Sequence, residues 1–311
     1  MNSYNKKDIP DHLLQYFEPC ELGLENTPEE YVEKMVGIFK EIKRVLKKEG
    51  TVWLNLGDSY YGGGWKGSKT DLSNTKQGTN KGTECGKDLK PDGKHEFLKS
   101  KDLVGIPWRV AFALQQDGWY LRQDIIWQKP NPMPESVNDR CTKSHEYIFL
   151  LSKSPKYYFD SFAIKEPANY DGRKDTTHKG SDKYKDNAYL NNQSAQSLST
   201  KERERWPIKI DGIPMKNKRS VWKVNVNSYK EAHFATYPKE LIEPCIKAGV
   251  PEKGIVLDPF MGSGTTAEVA LRNNRDYVGI ELNPDYIKII EKRLDKLPSY
   301  MTGKSILRRK N

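Results

Sequence analysis

The chain has 311 residues, enough for one large domain or a core with a smaller appendage, and too many for a disulfide-stapled miniature scaffold. Hydrophobic residues make up only 36% and charged residues 30%, yet 7 Trp, 17 Tyr and 9 Phe supply core-building material that disordered chains lack. Fifty-two basic against 42 acidic residues leave a net charge of +10, which suits a polyanionic partner such as DNA or RNA without requiring one.

At the N-terminus no apolar stretch follows Lys6 and Lys7, and no run of about eighteen apolar residues occurs anywhere. A soluble, cytoplasmic protein without a membrane partner is expected. Thr27-Pro28-Glu29-Glu30 offers an N-cap, a proline at the first helical position and early acids. Val32, Met35, Val36, Phe39, Ile42 and Leu46 follow at helical spacing. A helix from Thr27 to Leu46 should be closed by Lys47 to Gly50, and Thr51 to Leu56 then reads as a buried strand. The Gly-, Lys- and Ser-rich stretch 62–100 has no apolar period and is expected to be a long mobile loop. Ile106 to Leu114 predicts a helix ended by Gly118, and Tyr120 to Trp127 and His145 to Ser152 predict strands. From Pro238 helices and strands alternate: helix Lys239 to Ala248, strand Gly254 to Leu257, helix Thr265 to Asn273, strand Tyr277 to Glu281, helix Pro284 to Lys296. Such alternation predicts a parallel, doubly wound α/β sheet. Cys20, Cys85, Cys141 and Cys245 are scattered, with no C-x-x-C pair and no clustered histidines, so neither a metal site nor a disulfide framework is expected.

The segment Ile255-Val256-Leu257-Asp258-Pro259-Phe260-Met261-Gly262-Ser263-Gly264-Thr265-Thr266 runs from a strand through a glycine turn into a helix. Glycines there let a ligand approach the backbone, and the helix presents free N–H groups. No Lys follows the second glycine, which argues against a P-loop, and the third glycine of the dinucleotide fingerprint is missing. Glu281 lies about twenty residues on, where an acid can accept both hydroxyls of an adenosine ribose; a generic α/β turn whose acid caps a helix is the alternative.

Together, DPFMGSGTT and GIELNPDY resemble the S-adenosylmethionine site of the DNA amino-methyltransferases, which methylate cytosine N4 or adenine N6. The order of TPEEY to LNLGDSY, LVGIPWR, DGWYLRQDIIWQKPNPMP, SHEYIFLLSKSPKYY and HFATYP is similar to one branch of that family. The resemblance implies a Rossmann-like, doubly wound methyltransferase sheet with a polar target-recognition insertion. It implies a catalytic half at 1–166, a target-recognition region at 167–230 and an S-adenosylmethionine-binding half at 231–311. Asp258, Phe260, Gly262, Ser263, Gly264, Thr265, Asn283 and Thr236 would line the cofactor, with Glu281 on its ribose. Trp127, Lys129 and Asn131 would frame a target base flipped out of double-stranded DNA. Tyr170, Tyr184, Tyr189, Trp206 and Trp222, interleaved with Lys and Arg, would suit DNA contact; for these and for Trp127 an ordinary core or solvated-loop role stands as the alternative. A restriction endonuclease is an implied partner.

In that branch the catalytic motif, an Asp, Asn or Ser followed by Pro-Pro and an aromatic, precedes all the segments quoted. No Pro-Pro dipeptide occurs in the chain, so no catalytic residue is assigned, and Asp58 reads as a turn-forming residue. The expectation is a sheet whose central strand is missing and a chain with little or no methyl transfer on its own. A start downstream of the true one, a missing N-terminal fragment supplied by another polypeptide, and a non-catalytic DNA- or cofactor-binding remnant all remain open.

Overall fold

The computed structural model describes residues 22–23, 25, 27–61, 95–168, 209–226 and 236–298. Residues 62–94 of the loop expected at 62–100, Tyr170, Tyr184, Tyr189, Trp206, and His233 to Ala235 lie outside them.

Helix α1 (Pro28–Val45) begins where the sequence says, with Thr27 Oγ1 accepting from Glu30 N at 3.2 Å, and it ends with Lys43 and Arg44 in its last turn. Strand β1 (Thr51–Leu56) follows, and Asp58 at its end caps the next helix, α2 (Ile106–Gln116). The α2 N-cap, Gly105, has φ 78° and no side chain to cap with, so Asp58 Oδ1 accepts from the Gly105 and Ile106 N–H groups at 2.9 and 3.0 Å. Strands β2 (Tyr120–Gln128) and β3 (His145–Ser152) come next.

β3 pairs antiparallel with both β1 and β2, and β2 pairs parallel with β7 (Val221–Lys223), giving the order β1-β3-β2-β7. The parallel pairing expected from the alternation after Pro238 is present in β8 and β9, whereas β3 reverses because the β2–β3 connection contains no helix, and a parallel return would need a crossover, usually helical. Helices α1 and α2 cover one face through Met35, Phe39, Val110 and Leu114 against Leu54, Phe149 and Leu151. Helix α3 (Lys239–Gly249) covers the other, its Leu241 and Cys245 packing on Ile125, Trp127, Ile148 and Trp222. Burial on both faces explains why β3 is apolar without alternation from Ile148 to Leu151.

Strands β8 (Ile255–Asp258) and β9 (Asp276–Gly279) form a separate two-stranded parallel ladder. One face is covered by α4 (Thr265–Arg272), buried from Thr265 through Leu271 between α3, the ladder and α5 (Pro284–Leu294). Among the described residues no strand pairs with the outer edge of β1 or with the free edge of β8.

Residues 160–219 form a second compact unit. Its described part is a small sheet, β4 (Glu166–Pro167), β6 (Ile213–Lys216) and β5 (Lys209–Ile210), in the order β4-β6-β5. The β5–β6 turn is Asp211-Gly212, both at positive φ (49° and 79°), the conformation a two-residue hairpin prefers. Among the described residues no helix is long and apolar enough to cross a membrane.

Candidate functional site

The glycine turn after β8 is held from three sides. Gly262 and Gly264 have φ 53° and 81°, the left-handed region that disfavours side chains, and a Cβ on Gly264 would meet Ile290 at 3.0 Å. Beneath the turn the buried Arg293 guanidinium donates from Nη1 to Ser263 O at 2.9 Å, Ser263 Oγ at 3.3 Å and Thr265 Oγ1 at 2.7 Å. The Ser263 and Thr265 side chains therefore point into this support, and what they can offer a ligand is backbone. Asp258 holds the turn's entry: Oδ1 accepts from Phe260 N at 3.0 Å, and Oδ2 accepts from Tyr237 Oη at 3.1 Å and from Thr266 Oγ1. Burial pushes the Tyr237 hydroxyl far above the ordinary phenol range, and the Asp258 charge adds to it, so this hydroxyl is a fixed neutral donor. Thr236 directly precedes it.

Glu281 lies across the mouth of the turn. Its Oε2 accepts from Gly262 N and its Oε1 from Asn283 N, both at 2.8 Å. A carboxylate has about four acceptor sites, so about two remain for a ligand's hydroxyls. Asn283 is a helix cap, its Oδ1 accepting from Asp285 N at 2.9 Å. Around the acid stand exposed apolar side chains: Phe260 (46% exposed), Ile280 (50%) and Leu282 (83%). Of these the sequence reading picked out only Phe260; the alternation Val278, Ile280, Leu282, running from β9 into the segment after it, was the available signal. An acid with spare acceptors, free helix N–H groups and an aromatic flank fit an adenosine-bearing ligand.

The other predicted cluster is partly closed. Trp127 is 3% exposed and Trp222 5%, and Trp127 Nε1 donates to Val224 O at 2.8 Å. Both are core residues of the β2–β7–α3 packing, so neither indole presents a free face to a base or to DNA in this structure. The face of Trp127 is covered by the Lys129 ammonium, 4.5 Å from the ring centroid. Asn131 anchors the chain after β2, its Oδ1 accepting from Val226 N at 2.8 Å and its Nδ2 donating to Val226 O at 3.0 Å. Sequence reasoning missed the partner of Lys129: its Nζ donates to Glu146 Oε1, and Asn55 Nδ2 donates to Glu146 Oε2 at 3.1 Å.

Helix α3 relates this cluster to the glycine turn. Its last residue, Gly249, meets Thr51 and Trp53 at the start of β1, while Tyr237, just before its first turn, bonds Asp258 at the end of β8 and packs with Trp127 and Trp222. The carboxyl ends of β1, β2 and β8 thus lie at one end of the unit, where α/β sheets bind ligands.

Comparison with known proteins places the chain in a family. Residues 14–292 match the family described as N6_N4_Mtase, DNA methylase. The Type II methyltransferase M.XycI of Xanthomonas campestris pv. cyanopsidis is 43% identical over 282 residues, covering 91% of this chain and 77% of that protein. The Type II methyltransferase M.SmaI of Serratia marcescens is 42% identical over 285 residues, 91% of this chain and 80% of its own. Among solved structures, PvuII DNA methyltransferase (cytosine-N4-specific) shares the fold with a TM-score of 0.54 at 15% identity, covering 92% of this chain and 81% of its own.

Proposed function

The chain belongs to the DNA methylase family, and from that premise we propose that it takes part in site-specific transfer of a methyl group from S-adenosylmethionine to cytosine N4 or adenine N6 of double-stranded DNA. The observation that carries this reading is the left-handed glycine turn between Asp258 and Glu281. Gly262, Gly264 and the first N–H groups of α4 would hold the cofactor, with Glu281 on the ribose and Phe260 beside the adenine. Thr236 and Tyr237 would border its methionine end. When bound, the cofactor supplies an electrophilic methyl; the amino nitrogen forms the new N–C bond, the S–C electron pair stays on sulfur, and one amino proton leaves. The protein's share is orientation and desolvation. The cytoplasm, where DNA is accessible, is the proposed location, and a cognate endonuclease the proposed genetic partner.

A second reading, that this chain is one part of a split enzyme, is favoured by the edges of β1 and β8, which no strand pairs among the described residues: an open strand edge carries backbone groups that a further segment would satisfy. Calorimetry with S-adenosylmethionine, alongside mass spectrometry of nucleosides from DNA incubated with protein and cofactor, tests both readings. Glu281→Ala should weaken cofactor binding by about 1–3 kcal/mol; unchanged affinity removes the site assignment. Cofactor binding without a methylated nucleoside is the split-enzyme outcome.

A further inference from the structure

Three side chains, two from strands and one from the chain just after a third, meet beside the carboxyl ends of β1 and β2. Lys129 follows β2, Glu146 opens β3 and Asn55 sits near the end of β1. Glu146 accepts from Lys129 Nζ and, at 3.1 Å, from Asn55 Nδ2, whose other bond runs to Tyr147 O at 3.0 Å. Gly57 lies beside the carboxylate, where a Cβ would make ordinary van der Waals contact with Glu146 Cδ at 3.6 Å. The Lys129 and Glu146 side chains retain 19% and 23% exposure, so the pair is neither sealed in the core nor free in solvent. An ion pair this enclosed gives little net stability, because desolvation offsets most of the attraction. Its surplus valence is the informative feature. An ammonium has three donors and a carboxylate about four acceptor sites, and the contacts above use one and two of them.

Resting on the proposed function, we infer that Glu146 and Lys129 read the hydrogen-bonding edge of the unstacked target base. The exocyclic amino group of cytosine or adenine is a donor, and the ring nitrogen beside it an acceptor. A carboxylate beside an ammonium presents the complementary order, Glu146 accepting from the amino N–H and Lys129 donating to the ring nitrogen. Thymine and guanine, held in the same pose, present a carbonyl and a ring N–H in the reverse order and are rejected. Asn55 and the ring of Trp127 fix the pair: the amide holds the carboxylate, and the indole lies under the ammonium. Lys129 is then a base contact and not a phosphate contact, since Glu146 already neutralises its charge.

The test needs no turnover. DNA affinity of the whole protein is measured on mixed-sequence duplex from low to moderate salt for wild type, Lys129→Ala and Lys129→Gln. The logarithmic salt slope should be the same in all three, because a neutralised lysine releases no counterion, whereas loss of a phosphate contact lowers the slope by about 0.9. A drop near that size overturns the inference while leaving DNA binding, and with it the proposed function, intact. Wild type that binds no DNA takes both down. Where methyl transfer is measurable, Glu146→Gln should cut it at least tenfold at unchanged cofactor affinity, and wild-type transfer by that variant also overturns the inference.

Discussion

The four-stranded sheet and the two-stranded ladder answer different demands with the same kind of strand. The first is covered by α1 and α2 on one face and α3 on the other, so Phe149 and Leu151 are wholly buried and Ile148 and Leu150 nearly so. Among the described residues the β8–β9 ladder is covered by α4 on one face only; on the other, Ile255 is 57% and Val278 50% exposed. Parallel strands are ordinarily covered on both faces. Stability is therefore concentrated in the first region, and the chemistry around Gly262 and Glu281 sits on the second, where backbone and apolar side chains stay accessible. An open face keeps a ligand site available and contributes little to folding.

Substitutions should separate the two regions by magnitude. Phe149→Ala, at the centre of the sealed sheet, should destabilise by about 3–5 kcal/mol in urea unfolding, through lost burial and the cavity left behind. Next comes Glu268 of α4, whose buried carboxylate joins Lys239, Arg272 and, at 3.5 Å, Arg293. Glu268→Gln removes a countercharge of the buried Arg293 and should destabilise by about 3 kcal/mol. Burial alone would raise the Glu268 pKa, but the hydrogen bonds and charges of these cations hold it below the ordinary carboxylate value. A carboxylate bound more tightly in its ionised form stabilises the fold above its unfolded pKa, and that share is lost as pH falls through the lower, folded pKa. The wild-type stability curve should thus fall on the acid side more steeply than that of Glu268→Gln. Parallel curves for the two proteins would assign the support of the glycine turn to Arg293 alone.

A smaller effect is expected at the join between strand and helix. Asp58→Ala removes the acceptor for the first N–H groups of α2 and should destabilise by about 1–2 kcal/mol, the ordinary range for a lost cap. Asp58→Asn should recover most of it, since an amide oxygen accepts the same bonds. A methyl-transfer defect in Asp58→Asn with wild-type stability would instead point to a part in the reaction.

Much of this fold was legible because local signals agreed with burial. Thr27-Pro28-Glu29 fixed the start of α1 within a residue, and the glycines of the turn marked the β8–α4 junction. What was not legible depended on contacts distant in sequence. Trp127 sits in an alternating strand beside a lysine, a pattern equally suited to a core and to a binding face, and only α3, more than 110 residues away, decides for the core. Trp222, grouped with aromatics suited to DNA, is buried by the same helix. Ser263, Thr265 and Asn283 look like ligand contacts in the motif, yet two hydroxyls meet Arg293 and the amide caps α5. The antiparallel turn of β3 also escaped the pattern, because helix and strand periods do not encode strand direction. Glu146 was passed over because its partner, Lys129, lies 17 residues away across the β2–β3 connection.

The least perturbing change sharpens the comparison most. Val278 is paired in register with Leu257, and its side chain stands on the uncovered face of the ladder. If that face is open in solution, Val278→Ser removes little buried apolar area and should change stability by no more than about 0.5 kcal/mol, the usual range for a surface position. A loss of about 2 kcal/mol would mean that Val278 is buried in solution, because polar substitution is costly only where water has been excluded. Urea unfolding at two protein concentrations then identifies what covers it. A penalty that grows with concentration denotes a second copy of the chain, whereas a concentration-independent one denotes cover by the same polypeptide.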